Sequence, residues 1–234
     1  MKFRATLLEG RLVRRYKRFL ADVQLAEGVI TAACPNTGSM MGCAEAGNRV
    51  WLSESDRATR KYRHTWELVE VGQTLIGINT GLPNALVHEA IENGAIPELG
   101  GYSGVRREVP YGEEKSRVDL VLEAEGRAPC YVEVKNVTAA VTKGVALFPD
   151  CVSDRGARHL RELIRLKAAG MRPVQLYCVQ RGDVQEVRPA DGIDAEYGRM
   201  LREAIAAGVE VLAYRAKVTP TEVRLEERIP VVCP

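Results

Sequence analysis

Long apolar runs are missing from this chain. Nothing approaches the roughly 18 consecutive apolar residues of a membrane span, and the opening MKFRATLLEGRLV is too short and too charged for a secretory signal. A cytoplasmic protein with no membrane partner is expected. An excess of either charge is missing too, since 33 Lys and Arg face 31 Asp and Glu for a net +2. Any nucleic-acid surface must therefore come from local clustering. The six cysteines, at 34, 43, 130, 151, 178 and 233, include no CxxC pair and no His/Cys metal spacing. With Cys130 and Cys178 inside apolar strand patterns, they read as reduced buried thiols, which excludes a zinc site or a disulfide framework.

What is present suits two domains, because 234 residues at 46% hydrophobic content can fill more than one core. From Phe3 to about Thr80, short strand-like segments alternate with turn signals: ATLLEGRLVRRY, RFLADVQLA, GVITAACP, NRVWLSES, HTWELVEV and QTLIGIN. No helix-period segment of useful length interrupts them. About five strands in roughly 80 residues suit a small closed barrel, OB-like or SH3-like. GLPNALVHEAIENG then changes character: Asn84 is placed to cap a helix with Ala85, Leu86, Ala90 and Ile91 at helical spacing, and Gly94 ends it. The boundary falls near Gly81 to Asn84, giving domains 1–82 and 83–234.

The chemistry concentrates in SRVDLVLEAEGRAPCYVEVKNV, from Ser116 to Val137, which reads as two strands joined by a turn at Gly126 to Pro129. Alternation puts Glu133 and Lys135 on one face of the second strand and Val132 and Val134 on the other, and the turn lets Asp119 lie beside Glu133. Neighbouring carboxylates repel and stabilise little, but they suit Mg²⁺ or Mn²⁺, which takes oxygen ligands with waters and phosphate oxygens completing the shell. A lysine beside them would orient a water or steady charge developing on phosphate. Charged residues on a solvent-facing strand are the plainer reading, against which stand the apolar flanks.

After the helix near Asn84 come a strand at about Val105 to Val109, the Asp119 and Glu133 pair, a helix from about Asp154 to Ala169, the strand PVQLYCVQ, a helix at about Asp194 to Ala207, and the strands VEVLAYRAKV and TEVRLEERIPVV. Helix, three strands, helix, strand resembles the restriction-endonuclease-like nuclease core, an αβββαβ layout whose second and third strands carry PD…(D/E)xK. Asp119, Glu133 and Lys135 match those slots, although Val118 stands where the motif has Pro. Glu89 matches the helix position from which that superfamily often adds a carboxylate. Glu89 and Glu92 also read as a solvated helix face.

A closer resemblance runs the full length. RRYKRFLADV, CPNTGSMMGC, KYRHTWELVEV, ELGGYSG, YGEEKSRVDLVL, CYVEVKNVT, FPDCVSDRGARHLREL and GVEVLAYR resemble the bacterial and archaeal sugar fermentation stimulation protein family. That resemblance implies an N-terminal OB-fold, a nuclease-like C-terminal domain, and non-specific DNA binding with a proposed regulatory role in maltose metabolism.

Two basic and aromatic clusters support nucleic-acid binding: Arg14, Arg15, Tyr16, Lys17, Arg18 and Phe19, and Arg57, Arg60, Lys61, Tyr62, Arg63 and Trp66. Their plainer reading is barrel core with solvated charges. In DRGARHLRELIRLKAAG, Arg155, Arg158, Arg161 and Arg165 recur three to four apart and could track phosphates or form a solvated face. His159 is read as structural or as an auxiliary near the scissile phosphate, and Asp150 and Asp154 as turn and cap residues first. The CPNTG loop looks like a backbone-defined turn without an assigned role.

The resulting expectation is a DNA-binding protein with a phosphodiesterase site: Asp119, Glu133 and Lys135 catalytic, and Mg²⁺ or Mn²⁺ held by Asp119, Glu133 and Glu89. The alternative is a non-catalytic DNA-binding regulator of sugar metabolism on a degenerate nuclease fold. Oligomeric state stays open, with a homodimer among the readings.

Overall fold

A computed structural model describes residues 1–57, 59–112, 116–140 and 142–234. Each of the six strand-like N-terminal segments forms a strand, one more than the five or so expected: β1 (Leu8–Tyr16), β2 (Leu20–Leu25), β3 (Gly28–Ala33), β4 (Arg49–Glu54), β5 (His64–Val71) and β6 (Thr74–Gly77). Inward side chains Leu12, Val23, Val50, Leu52 and Trp66 build their common core. β1 pairs with β2 and β4, β4 with β5, and β3 meets β5 in parallel at Ala33 and Thr65. The order β1-β2-β3-β5-β4 thus closes on itself in the five-stranded OB arrangement, and closure leaves few free edges.

α1 (Pro83–Glu92) opens the second domain with Pro83 in its first turn, where a missing N–H costs nothing. Asn84 is not the cap expected from sequence. Leu82 holds that position without a side-chain bond, and Asn84 lies inside the helix. There follow β7 (Gly104–Tyr111), β8 (Ser116–Glu123), β9 (Cys130–Val137), β10 (Gly144–Phe148), α2 (Asp154–Ala168), β11 (Arg172–Val179), β12 (Val184–Pro189), α3 (Ala195–Ala206), β13 (Glu210–Val218) and β14 (Val223–Ile229). The main sheet runs β14-β13-β11-β9-β8-β7, parallel at β9-β11-β13 and antiparallel elsewhere. β10 and β12, which the sequence did not announce, make a small parallel sheet of their own.

α1 covers one face through Leu86, Val87 and Ala90 against Leu120, Val132, Val134 and Leu176. On the other side α2 and α3 pack through Leu160, Leu163, Tyr197 and Leu201, and Tyr197 shares a hydroxyl bond of 2.6 Å with Tyr177 on β11. All six cysteines are free thiols. Among the described residues no helix is long and apolar enough to cross a membrane.

The CPNTG loop is where the two domains meet. Arg15 reaches inward and donates to the carbonyls of Arg18 at 2.8 Å, Asn36 at 3.0 Å and Gly38 at 2.7 Å. Thr80 Oγ1 donates to Pro35 O at 2.7 Å, and the Met40 N–H donates across the interface to Asp150 Oδ2 at 3.2 Å. A second seam joins Gly77 N–H to Gln180 O at 2.8 Å. The chain's start also crosses over: Phe3 N–H donates to Thr221 O at 3.0 Å, and the Met1 ammonium donates to Val223 O at 2.7 Å.

Gly38 is required by close approach, since an added Cβ would stand 2.3 Å from Asp150 Oδ2. Gly38→Ala must push aside the carboxylate that holds the Met40 N–H. Gly38→Ala and Asp150→Ala should each cost about 1–2 kcal/mol in urea unfolding, and the double variant little more than either alone. Full additivity would show that the loop does not lean on Asp150.

Candidate active site

The β8–β9 ladder is registered only over three pairs, Leu120 with Val132, Val121 with Tyr131 and Leu122 with Cys130. Beyond Leu120 the strands part. At that point the Val134 N–H, which a continuing ladder would give to a carbonyl of β8, donates instead to Asp119 Oδ2 at 2.7 Å. Asp119 Oδ1 accepts from Asn84 Nδ2 on α1, also at 2.7 Å. A carboxylate is thereby fixed in the fork beside Glu133.

Glu133 is 2% exposed. Its Oε1 accepts from Lys135 Nζ at 2.8 Å and from His159 Nδ1, while Oε2 is buried without a partner. His159 Nε2 accepts from Arg155 Nε at 3.3 Å, while Nδ1 faces both Glu133 Oε1 and, at 3.1 Å, Lys135 Nζ. His159, read from sequence as structural or as an auxiliary near the scissile phosphate, is buried on α2 and bonded to Glu133.

Electrostatics split the two carboxyls. Burial raises the Asp119 pKa, Glu133 raises it further, and the Val134 and Asn84 hydrogen bonds and Lys135 oppose both; the result is pushed up to about 6. For Glu133, burial also pushes upward, but the Lys135 charge and the His159 hydrogen bond outweigh it and hold the group below its usual range. Burial lowers His159, helped by the charges of Lys135 and Arg155 against the pull of Glu133. A firmly ionised glutamate thus sits beside an aspartate that is easily protonated.

Glu89 does not join this cluster. Its carboxylate accepts from the Met1 ammonium at 2.9 Å, which draws it toward the β14 side of α1. Among the described residues no three His, Cys, Asp or Glu side chains group closely enough to hold a metal by themselves. The residue that α1 contributes is Asn84, and it binds Glu108 Oε1 at 3.2 Å as well as Asp119. Glu108 has a φ of 52°, rare for a side chain other than Gly, Asn or Asp. The Tyr111 hydroxyl is buried and unpartnered, and its pKa is raised first by burial and then by Glu133, Glu162 and Asp119. Sequence reasoning missed Asn84, Glu108 and Tyr111, and only the cross-strand register of β7 against β8 could have suggested the last two.

The basic candidates divide by environment. Arg15 is withdrawn from phosphate contact by the carbonyls it holds. Arg14 pairs with Asp22 at 2.8 Å over the Tyr16 ring, whose hydroxyl donates to the same aspartate at 3.1 Å. Arg63 pairs with Glu54 at 2.9 Å, Lys61 lies 5.5 Å from the Tyr62 ring centre, and Trp66 is wholly buried, its Nε1 donating to Leu68 O at 2.8 Å. Trp66 therefore cannot stack a base. Lys17, Arg18 and Arg60 are exposed, Phe19 is 53% exposed, Arg155 is exposed beside His159, and Arg158 and Arg161 are half-buried.

The raised Asp119 pKa predicts a pH signature without metal. A folded pKa near 6 against 3.8 unfolded means that Asp119 contributes stability which is fully present below the lower value and lost as pH rises through the higher one. Asp119→Asn should therefore match the parent at about pH 4 and exceed it at about pH 8 by roughly 2–3 kcal/mol in urea unfolding with EDTA. A variant weaker than the parent at both pH values would mean that Asp119 is not under charge strain.

Comparison with known proteins agrees with both halves of the fold. The family model "SfsA N-terminal OB domain" matches residues 13–78, and "Sugar fermentation stimulation protein RE domain" matches residues 81–222. A "Sugar fermentation stimulation protein homolog" of Thioalkalivibrio sulfidiphilus is 60% identical over 97% of this chain and 95% of that protein. Its counterpart in Geobacter metallireducens is 58% identical over 99% of this chain and all of that protein. The solved structure of Pyrococcus furiosus SfsA in complex with Ca²⁺ superposes with a TM-score of 0.88 at 27% identity, covering 99% of this chain and 98% of that one. On matches of this length in both domains, the chain belongs to the sugar fermentation stimulation protein family.

Proposed function

We propose that this protein is a divalent-cation-dependent phosphodiesterase that binds DNA without sequence preference. The observation that carries the reading is Glu133 Oε2, a buried carboxylate oxygen with no partner, set beside a second carboxylate whose pKa burial, and then the charge of Glu133, push up to about 6. An unsatisfied buried acceptor is costly, and a cation is what would relieve it. The Pyrococcus relative, whose structure was solved with Ca²⁺, supports a divalent ion in this fold.

Asp119 and Glu133 would hold Mg²⁺ or Mn²⁺, two carboxylates with water and phosphate oxygens being enough for such ions. Bound there, the ion supplies Lewis acidity toward the phosphate and lowers the pKa of a bound water. The chain's own groups do the rest. His159 and the Val134 N–H fix the two carboxylates, Lys135 presents its ammonium to the developing negative charge, and Arg155 stands ready for a flanking phosphate oxygen. Cleavage of single- and double-stranded DNA and RNA, assayed with Mg²⁺, Mn²⁺ or EDTA, should show metal-dependent product in the parent and none in Asp119→Asn or Lys135→Ala. Binding without cleavage on every substrate would leave the non-catalytic regulator.

For binding, the tip of the β1–β2 hairpin carries the argument. Lys17 and Arg18 adopt φ values of 48° and 63°, and the strained turn lifts their charges into solvent beside exposed Phe19. An exposed aromatic beside cations is how OB-folds stack bases while tracking phosphates. Lys17→Gln with Arg18→Gln should reduce the slope of log K against log salt by about 1.5 units, at roughly 0.7–0.9 per phosphate contact. Phe19→Ala should weaken binding by about 1–3 kcal/mol with the slope unchanged. An unaltered slope in the double variant would remove the hairpin from the interface.

A further inference from the structure

Between the barrel and the nuclease-like domain lies a cavity of about 280 Å³ whose walls come from both. The CPNTG loop gives Asn36 and Thr37, the end of β9 gives Asn136, and the segment leading into α2 gives Phe148, Asp150 and Ser153. Its construction is rigid: Arg15 grips three carbonyls of the loop and hairpin, Thr80 holds Pro35, and Asp150 holds Met40. Asn36 is 3% exposed, and its Oδ1 accepts from the Gly38 N–H at 2.9 Å. Its Nδ2 has no partner among the described residues. Asn136 is in the same condition, with Oδ1 taken by Gln180 Nε2 at 2.7 Å and its own amide donors left over.

We propose that this cavity receives one nucleobase, the base of a nucleotide next to the phosphate at the catalytic site. The inference rests on the DNA reading above and deepens it. The walls present amide donors from Asn36 and Asn136 and one carboxylate acceptor, Asp150, over an apolar floor of Ala139, Leu147 and Phe148. Asp150 would repel a phosphate, yet it suits a ring N–H or an exocyclic amine. A planar body with donors and acceptors on its edge fits that lining, and a volume of about 280 Å³, just under the roughly 300–1,000 Å³ of ligand pockets, suits a ligand as small as one base. Position argues the same way. Ser153, in the cavity wall, immediately precedes the helix that carries Arg155 and His159, and Asn136 follows Lys135 at the end of β9 with its side chain on the sheet's other face. Arg18, whose Nε donates to Thr37 O at 2.9 Å, sets a cation at the rim for the backbone outside.

The test is an abasic scan. Full-length protein is titrated, with EDTA present so that nothing is cut, against fluorescent single strands that each lack one base and are trimmed to the shortest length the parent binds, so that only one register fits. A pocketed base should stand out as one position where removal weakens binding roughly 5- to 100-fold. In Thr37→Trp, which fills the cavity from an exposed position and keeps the backbone carbonyl that Arg18 uses, that position should lose its distinction. A flat scan in a parent that binds the intact strand overturns the pocket and leaves DNA binding standing. A sensitive position that survives in Thr37→Trp overturns its location here. If the parent binds no strand, the DNA reading fails, and titration of the parent with dAMP and dCMP decides the cavity separately. Shifts in the Asn36 and Asn136 side-chain amide resonances would keep it as a free-nucleotide site, and their absence would end the proposal.

Discussion

The site depends on one hydrogen bond, from the Val134 N–H to Asp119 Oδ2. Were the β8–β9 ladder to continue past Leu120, Val134 would bond a backbone carbonyl, the strands would stay about 4.8 Å apart, and no room would remain between them. The side chain of Asp119 satisfies that N–H instead, so the strands separate without leaving an orphaned amide. The same residue that opens the fork places a carboxylate in it. Asn84 secures the other oxygen from α1, which makes the helix a brace for the aspartate and not a source of a third carboxylate.

Period-two alternation made much of this legible. Glu133 and Lys135 face α2 while Val132 and Val134 enter the core under α1, as the pattern of β9 required. The barrel strands were equally readable, because Gly and Asn turns punctuate them. Helix faces were harder. Asn84 has the chemistry of a cap and sits one residue before an apolar stripe, but Pro83 already starts the turn, so its amide is available to Asp119. Glu89 was plausible by position and lost to a partner far away in sequence, the Met1 ammonium, which no local window reveals. β10 and β12 escaped notice because GVALF and VQEVRP are too short for alternation to declare itself, and they pair with each other outside the main sheet. Trp66 shows a related limit: a basic and aromatic cluster does not say which aromatic faces inward.

Glu133 and Asp119 share a neighbourhood yet are pushed in opposite directions, and the cause is who reached each first. Lys135 and His159 converge on one oxygen of Glu133, enough to keep it ionised in spite of burial. Asp119 then feels a fixed negative charge as well as desolvation, and its two neutral hydrogen bonds do not cancel them. Burial and repulsion of this kind cost stability, and under the proposed reading a bound cation would relieve both. The same pair with Glu133 serves Lys135, a half-buried ammonium whose other close neighbour is the His159 ring at 3.1 Å.

The barrel contributes to this site through architecture as much as through charge. Arg15, which its sequence context marks as one more basic contact, is turned inward to hold three carbonyls, and through them it fixes the CPNTG loop against Asp150. Its neighbours Lys17 and Arg18 are forced outward by the same tight turn. A run of like residues is thus divided by backbone geometry into one that builds the wall between the domains and two that face solvent. The wall runs from the CPNTG loop to the foot of α2, so in the proposed reading the hairpin and the fork between β8 and β9 would meet one strand from two domains at once.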